Sequence, residues 1–317
     1  DYSTVFLFNL AIGIFFYVII FFSAGLISEF FKEPQLKSII RVIGISLIIS
    51  SFSLIQGVRL TRNLNFKLQA RITIITIIVS GTIAIIMAYE GYGVWSLVSR
   101  TIITALTGTV LLWYWNKWIP SLTFSKKAFK EMFSFGSKLL VSGLLHTTFT
   151  NIYYLIIGKY FSASDLGYYT RAEMFQKLPS ENISRVVQRV SFPVLSSIQD
   201  EEKELRSAYQ RLIKSTMLIT FVLMLGMAAA AKPMVLTLIG EKWLPSVGYL
   251  QLLCFVGIFY PLQALNLNIL TVKGRSDIFL NLEIIKKILV VPVVIIGIFY
   301  GIKIMIICMI VYSLIAY

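Results

Sequence analysis

Arg171, Glu173, Lys177, Glu181, Arg185 and Arg189 fall within one stretch, Leu166–Val190, that apolar runs flank on both sides. Guanidinium and ammonium groups at helical spacing suit phosphate or carboxylate ligands. Carboxylates among them suit coupling to protons or cations, or pairing with the neighbouring bases. On a helical wheel of about 100° per residue, Arg171, Asn182, Arg185, Gln188 and Arg189 gather on one arc, and Glu173, Lys177 and Glu181 extend it. The opposite side carries Ala172, Phe175, Ile183, Val186, Val187 and Val190. A helix with this division needs water or partner charges along one side. Two uses of the charges stay open. In one, they pair among themselves, as Glu181 and Arg185 can at i, i+4, and only fix packing. In the other, the arc lines a polar cavity in which Arg171, Lys177, Arg185 and Arg189 draw an anionic substrate. Asn182 and Gln188 then offer neutral hydrogen bonds, and Glu173 and Glu181 are the candidates for ion coupling. Pro179, in the middle, predicts a kink.

The elements that must hold this helix are membrane spans. The chain has 317 residues, of which 57% are hydrophobic and only 14% charged, with a mean hydropathy of +0.81. Soluble domains carry roughly 25% charged residues, and a water-soluble fold of this composition would expose large apolar patches. A bilayer core of about 30 Å takes roughly 20 apolar residues of helix, and about ten segments qualify. They are Val5–Ile27, Ile39–Val58, Ile72–Ala88, Val94–Trp113, Leu139–Ile157, Leu166–Val190, Met217–Ile239, Val247–Leu270, Phe279–Phe299 and Ile302–Tyr317. The expected fold is therefore an all-α integral membrane bundle. In the sixth segment, each charge left in lipid would cost roughly 2.5–3.5 kcal/mol at mid-bilayer, so it is set apart from the rest.

The net charge of +14 sits mainly in alternate loops. Arg59, Arg62, Lys67 and Arg71 follow the second segment with no acid among them. Lys117, Lys126, Lys127, Lys130 and Lys138 follow the fourth, against Glu131 alone. Arg189, Lys203, Arg206, Arg211 and Lys214 follow the sixth, and Lys273 and Arg275 the eighth. Positive loops stay in the cytoplasm, which places Asp1 inside and the ends of the even-numbered helices inside. Nucleic-acid binding is not indicated, since no recognition motif accompanies the charge. Trp113, Trp115 and Trp118, with Tyr89, Tyr92, Trp95 and Trp243, fit interfacial aromatic belts. Asp200–Lys214 has Leu205, Tyr209 and Leu212 on one face and is expected to lie as an amphipathic helix on the cytoplasmic surface.

Enzyme chemistry has little footing. HExxH, GxSxG and phosphate-gripping glycine loops are missing, and the predicted external loops are short. Cys254 and Cys308, both in apolar runs, have no metal-ligand spacing, and the single histidine, His146, lacks ligand partners. No cofactor or metal site is read. Asn9, His146 and Asn151 are expected to hydrogen-bond between helices. Arg41, Arg71 and Arg100 are expected to snorkel, and Glu283, Lys286 and Lys287 to pair locally.

Several longer stretches carry a resemblance. They are "QGVRLTRNLNFK" at 56–67, "GYGVWSLV" at 91–98, "WNKWIPSLTFS" at 115–125, "NIYYLIIGKYFSASDLGYYTRAEMFQKLP" at 151–179 and "VSFPVLSSIQDEEKELRSAYQRLIK" at 190–214, followed by "AAKPMVLTLIGEKWLPSV". In this order the chain resembles the polysaccharide transporter (Wzx-type flippase) family. The likeness is to its lipopolysaccharide, colanic acid and teichuronic acid export branch, within the multidrug/oligosaccharidyl-lipid/polysaccharide exporter superfamily. The resemblance implies a fourteen-helix, two-lobed bundle in a bacterial cytoplasmic membrane, of which this chain would hold part. Residues 1–138 would be the remainder of the first lobe with the inter-lobe loop, and residues 139–317 the second lobe. It implies transport of undecaprenyl-diphosphate-linked oligosaccharide by alternating access, without enzymatic activity. It also implies the lipid-linked oligosaccharide and membrane lipid as partners, with room for other polysaccharide-assembly membrane proteins. A multidrug or cation extruder of the same superfamily, a membrane enzyme polymerising lipid-linked sugars, and a non-transporting scaffold are the alternatives.

Overall fold

A computed structural model describes residues 2–121 and 147–316, with residues 125, 133, 136, 140, 143 and 144 between them. The described residues form helices and no strands. The chain divides into two compact units, 1–145 and 146–317.

Unit one holds α1 (Tyr2–Phe31), α2 (Gln35–Arg62), α3 (Phe66–Tyr89) and α4 (Val94–Asn116). α2 packs on α1 and α4, and α3 packs on α4. All four are long and apolar enough to cross a bilayer. Their apolar side chains remain largely exposed, as lipid-facing helices require. Polar side chains join them across the apolar faces, where unsatisfied groups in lipid are costly. Asn9 Nδ2 donates to the Ser51 carbonyl at 3.3 Å, and Thr109 Oγ1 to the Ile49 carbonyl at 3.1 Å. Gln56, fully buried, donates to the Trp118 carbonyl at 2.8 Å and accepts from Asn116 Nδ2 at 2.7 Å. This ties the end of α2 to the chain beyond α4.

Two of the belt tryptophans also serve this packing. Trp113 donates to the Phe52 carbonyl at 2.9 Å. Trp118 meets Tyr2 and Phe6 edge-on, with Arg59 over its ring at 5.5 Å. Arg41 does not reach outward only. Its Nε donates to the Phe21 carbonyl at 3.2 Å, and its guanidinium lies 4.2 Å from the Phe21 ring.

Unit two holds α5 (Ile152–Tyr160), α6 (Ala163–Ser197), α7 (Glu202–Ala229), α8 (Ala231–Ile239), a 3-10 turn (Glu241–Trp243), α9 (Ser246–Val272), α10 (Ser276–Tyr300) and α11 (Ile302–Ile315). α9 is the central pillar and packs on α6, α7, α10 and α11. It bonds three of them through amides in an otherwise apolar sequence. Asn268 Nδ2 donates to Ser191 Oγ of α6 at 2.6 Å, Gln251 to the Ala228 carbonyl of α7 at 3.3 Å, and Gln263 to the Ser313 carbonyl of α11 at 3.3 Å. Asn266 also accepts from the Tyr209 hydroxyl of α7. α7 and α9 are long and apolar enough to cross a bilayer; α11 is a shorter apolar helix. Gly301 alone joins α10 to α11, at φ +96°, a conformation that costs a side chain but not glycine.

Four expectations change. Asp200–Lys214 is not a separate surface helix: residues 202–229 form one unbroken helix. Nothing between Lys214 and Met217 breaks it, and its inner stripe runs on from Leu205 through Thr216 and Thr220 to Met224. Leu205, Tyr209 and Leu212 do share a face, but they pack on Leu195, Ile269 and Val272 rather than on lipid. Second, the span expected over Met217–Ile239 is interrupted at Ala230, because Pro233 lacks an N–H and its ring opposes the carbonyl four residues back. Third, α6 is longer than Leu166–Val190 and continues through both Pro179 and Pro193. At 35 residues it is about 52 Å long, well beyond a hydrocarbon core. Fourth, the Asn151 amide bonds the Thr147 carbonyl at 2.8 Å rather than another helix. Residues 139, 141, 142 and 145 and His146 of the fifth predicted span lie outside the described residues, as do Lys126, Lys127, Lys130, Glu131 and Lys138.

Candidate functional site

α6 starts at a capping box. Ser162 Oγ accepts from the Asp165 amide at 3.0 Å, and the Asp165 carboxylate accepts back from the Ser162 amide at 3.4 Å. From there Tyr169, Ala172, Glu173, Gln176, Ser180, Ser184, Ser191 and Leu195 form the buried stripe of the helix. The serines satisfy themselves on the preceding turn, Ser180 Oγ donating to the Gln176 carbonyl at 3.0 Å and Ser184 Oγ to the Ser180 carbonyl at 2.8 Å. Small side chains on that stripe let α9 come close. Gly257 of α9 lies against the Gln176 side chain, leaving no room for a Cβ. The valines of the wheel's apolar side face outward instead: Val186 and Val190 are exposed, as a lipid-facing surface allows.

The charged arc lies beside the buried stripe and forms one wall of a cavity of about 500 Å³. Glu173, Lys177, Glu181, Asn182 and Arg185 line it together with Tyr154 of α5. Thr170, Met174 and Leu178 complete the lining. Each carboxylate is closed by the cation one turn on. Lys177 Nζ lies 3.0 Å from Glu173 Oε1, and Arg185 Nη2 lies 2.9 Å from Glu181 Oε2. The Tyr154 hydroxyl donates to Glu173 Oε2 and accepts from Lys177 at 3.4 Å, closing a triangle around the nearly buried carboxylate. The second pair is wetter, with the Arg185 side chain 69% and Glu181 36% exposed. Asn182 Nδ2 donates to the Leu178 carbonyl at 2.7 Å.

Not every candidate joins this cavity. Arg171 lies outside its lining, with its guanidinium 5.2 Å from the Trp243 ring and Nη1 3.8 Å from Met174 Sδ. Gln188 and Arg189 are exposed and also stand apart from it. Among the described residues neither Arg171 nor Arg189 has a carboxylate at ion-pair distance. The wheel missed Tyr154, which belongs to another helix, and Thr170, which is only weakly polar. On α10, Lys286 pairs with Glu283 at 3.7 Å, and Lys287 lies over the Phe149 ring at 5.3 Å. Among the described residues no group of three or more His, Cys, Asp and Glu side chains could hold a metal ion.

Residues 1–248 match the model of a family described as "Polysaccharide biosynthesis protein". The chain belongs to that family. Among curated relatives, it is 28% identical over 279 residues to the teichuronic acid biosynthesis protein TuaB of Bacillus subtilis (strain 168), covering 87% of this chain and 58% of that protein. It is 25% identical over 299 residues to the lipopolysaccharide biosynthesis protein WzxC of Escherichia coli (strain K12), covering 94% of this chain and 61% of that protein. The chain thus spans about three-fifths of the length of these members of the family. In fold it is similar to the lipid II flippase MurJ in an inward closed conformation, with a TM-score of 0.79 at 18% identity over 99% of this chain and 70% of that one. It is also similar to an outward-facing MATE-family multidrug resistance transporter, with a TM-score of 0.53 at 16% identity over 100% of this chain and 75% of that one. An all-α, multi-pass membrane protein of the polysaccharide biosynthesis family is the result.

Proposed function

We propose that this protein carries a lipid-linked oligosaccharide across a bacterial cytoplasmic membrane by alternating access, with the polyprenyl tail left in the bilayer. The observation that carries this reading is the polar wall of α6, a cavity of about 500 Å³ in a bundle of mostly apolar helices. Two acids and two bases held there need a purpose, since apolar packing would be cheaper. Membership of the polysaccharide biosynthesis family supplies the substrate class, and an exporter rather than an enzyme suits the absence of a catalytic constellation in the sequence. On this reading each of the two units belongs to one lobe of a repeat-built transporter. The loop charges put the start of the chain in the cytoplasm.

Arg171 and Arg189 take the diphosphate in this scheme. They are 18 residues apart on the same side of α6, about 27 Å along the axis and close to the thickness of a hydrocarbon core of about 30 Å. Arg189, with Gln188 beside it, meets the diphosphate on the cytoplasmic side, and Arg171 meets it at the far side. Between them Lys177, Asn182 and Arg185 line the path that the glycan follows. Glu173 and Glu181 are the groups through which an ion gradient would act.

The test is translocation of a polyprenyl-diphosphate oligosaccharide by the full-length protein in proteoliposomes. Arg189→Ala and Arg171→Ala should each slow it at least tenfold, while the protein remains monodisperse. Wild-type rates in both variants would overturn the assignment of the arginines, and no translocation by the wild type would overturn the transport reading.

A further inference from the structure

The cavity on α6 is lined by two acids and two bases that alternate at i, i+4: Glu173, Lys177, Glu181 and Arg185. Their formal charges cancel. An anion approaching Lys177 finds the Glu173 carboxylate 3.0 Å from the ammonium, and one approaching Arg185 finds Glu181 at 2.9 Å. Attraction and repulsion of similar size and range then nearly offset each other, so the cavity lacks the net positive charge that a diphosphate needs. The only cations on this side of α6 free of a carboxylate among the described residues, Arg171 and Arg189, lie outside it.

What the cavity does offer is a set of fixed donors and acceptors of both kinds. Glu181 uses Oε2 for Arg185 and keeps Oε1 for another donor. Arg185 spends one nitrogen on Glu181, and its other N–H groups remain. Asn182 spends one N–H on the Leu178 carbonyl and keeps its oxygen and a second N–H. These three residues lie on one turn of helix and are partly or fully exposed. A carboxylate, an amide and a guanidinium side by side accept and donate at the same time, as adjacent hydroxyls on a sugar ring do. Exposed Met174 and Leu178 supply apolar surface for the C–H faces of such rings. Glu173 is different: Lys177 and Tyr154 occupy both its oxygens, so it braces the wall rather than reads a ligand.

We infer that this cavity takes the uncharged, hydroxyl-rich part of the substrate's glycan, and not its diphosphate, with Glu181, Asn182 and Arg185 contacting neighbouring hydroxyls. This rests on the transport reading for the source of the glycan, and it assigns glycan and diphosphate to different stretches of α6.

Glu181→Gln separates the two chemistries by sign. It removes a carboxylate acceptor, which should weaken glycan binding about tenfold or more. It also frees Arg185 and adds one positive charge, which should strengthen binding of a phosphate. The experiment uses the full-length protein in nanodiscs with two probes: the oligosaccharide released by mild acid from the host's polyprenyl-linked precursors, and sodium pyrophosphate. The expected result is that the released glycan binds the wild type, Glu181→Gln weakens it about tenfold, and pyrophosphate neither binds this cavity nor competes. Glycan binding unchanged by Glu181→Gln, or pyrophosphate that displaces the glycan and binds the variant more tightly, would overturn the inference. Should Glu181→Gln fail to fold, Asn182→Ala, an exposed position, carries the glycan arm of the test: glycan binding unchanged in that variant, or displaced by pyrophosphate, would overturn the inference. A wild type that binds the glycan through Glu181 but moves no lipid-linked precursor would leave this cavity assigned and refute transport. A wild type that moves the precursor while both variants bind glycan normally would do the reverse.

Discussion

Gly257 is the position where unit two has least room, and replacing it with alanine gives a sharp test of the packing between α6, α7 and α9. A Cβ there would lie 2.2 Å from Gln176 Nε2, 3.0 Å from Gln176 Cδ and 2.9 Å from Met224 Sδ. Real Cβ contacts do not come that close, and both neighbours are buried. Gln176 must swing away, losing its Nε2 donation to Ser180 Oγ at 2.9 Å. Overpacking costs about 1–3 kcal/mol and the lost hydrogen bond about 0.5–1.5 kcal/mol, so Gly257→Ala should destabilise the protein by about 2–4 kcal/mol. The assay is reversible unfolding of the full-length protein in mixed micelles, titrated with SDS. Gln176→Ala removes the nearest obstruction. In that background the cost of Gly257→Ala should fall by at least about 1 kcal/mol, a coupling expected of residues in contact. Met224 still stands in the way, so rescue is partial. An alanine at 257 that costs nothing, or that costs the same in both backgrounds, would refute this account of the three-helix contact.

Other outcomes follow from the same geometry. Asn268→Ala removes the bond to Ser191 and should cost about 0.6–2 kcal/mol in the same titration. Ser162→Ala removes the capping box and should cost about 1 kcal/mol, seen as faster amide exchange confined to the first two turns of α6. For the orientation, single cysteines at Leu64 and Tyr92 in a Cys254→Ser, Cys308→Ser background should label from opposite sides in intact cells. Tyr92→Cys should react with an impermeant reagent added outside and Leu64→Cys should not; the reverse pattern would invert the orientation drawn from the loop charges.

Hydropathy and local chemistry were enough for much of this protein. Runs of apolar residues located α1 to α4, α9 and α11 closely, because in lipid a span must be apolar along most of its length. The excess of charge marked α6, and i, i+4 spacing anticipated the Glu181–Arg185 pair, which depends only on helix geometry. The direction each side of α6 faces was a tertiary matter. A wheel drawn in isolation separates the valines from the charges but does not say which side meets a neighbouring helix. In this bundle the tight contact with α9 selects small residues, Ser180, Ser184 and Ser191, while Val186 and Val190 turn to the lipid side, where apolar surface costs nothing. Tyr154 entered the site from α5, a neighbour that no spacing along α6 can reveal. The amphipathic pattern of residues 200–214 was legible, but its partner was not: Leu205 packs on Leu195 and on Val272, the latter distant in sequence and brought there only by the folded chain. The same distinction separates Lys177 and Arg185 from Arg171 and Arg189. All four carry the same charge, and the i, i+4 spacing already pairs Lys177 and Arg185 with acids; only the fold shows that no acid from another helix reaches Arg171 or Arg189 among the described residues.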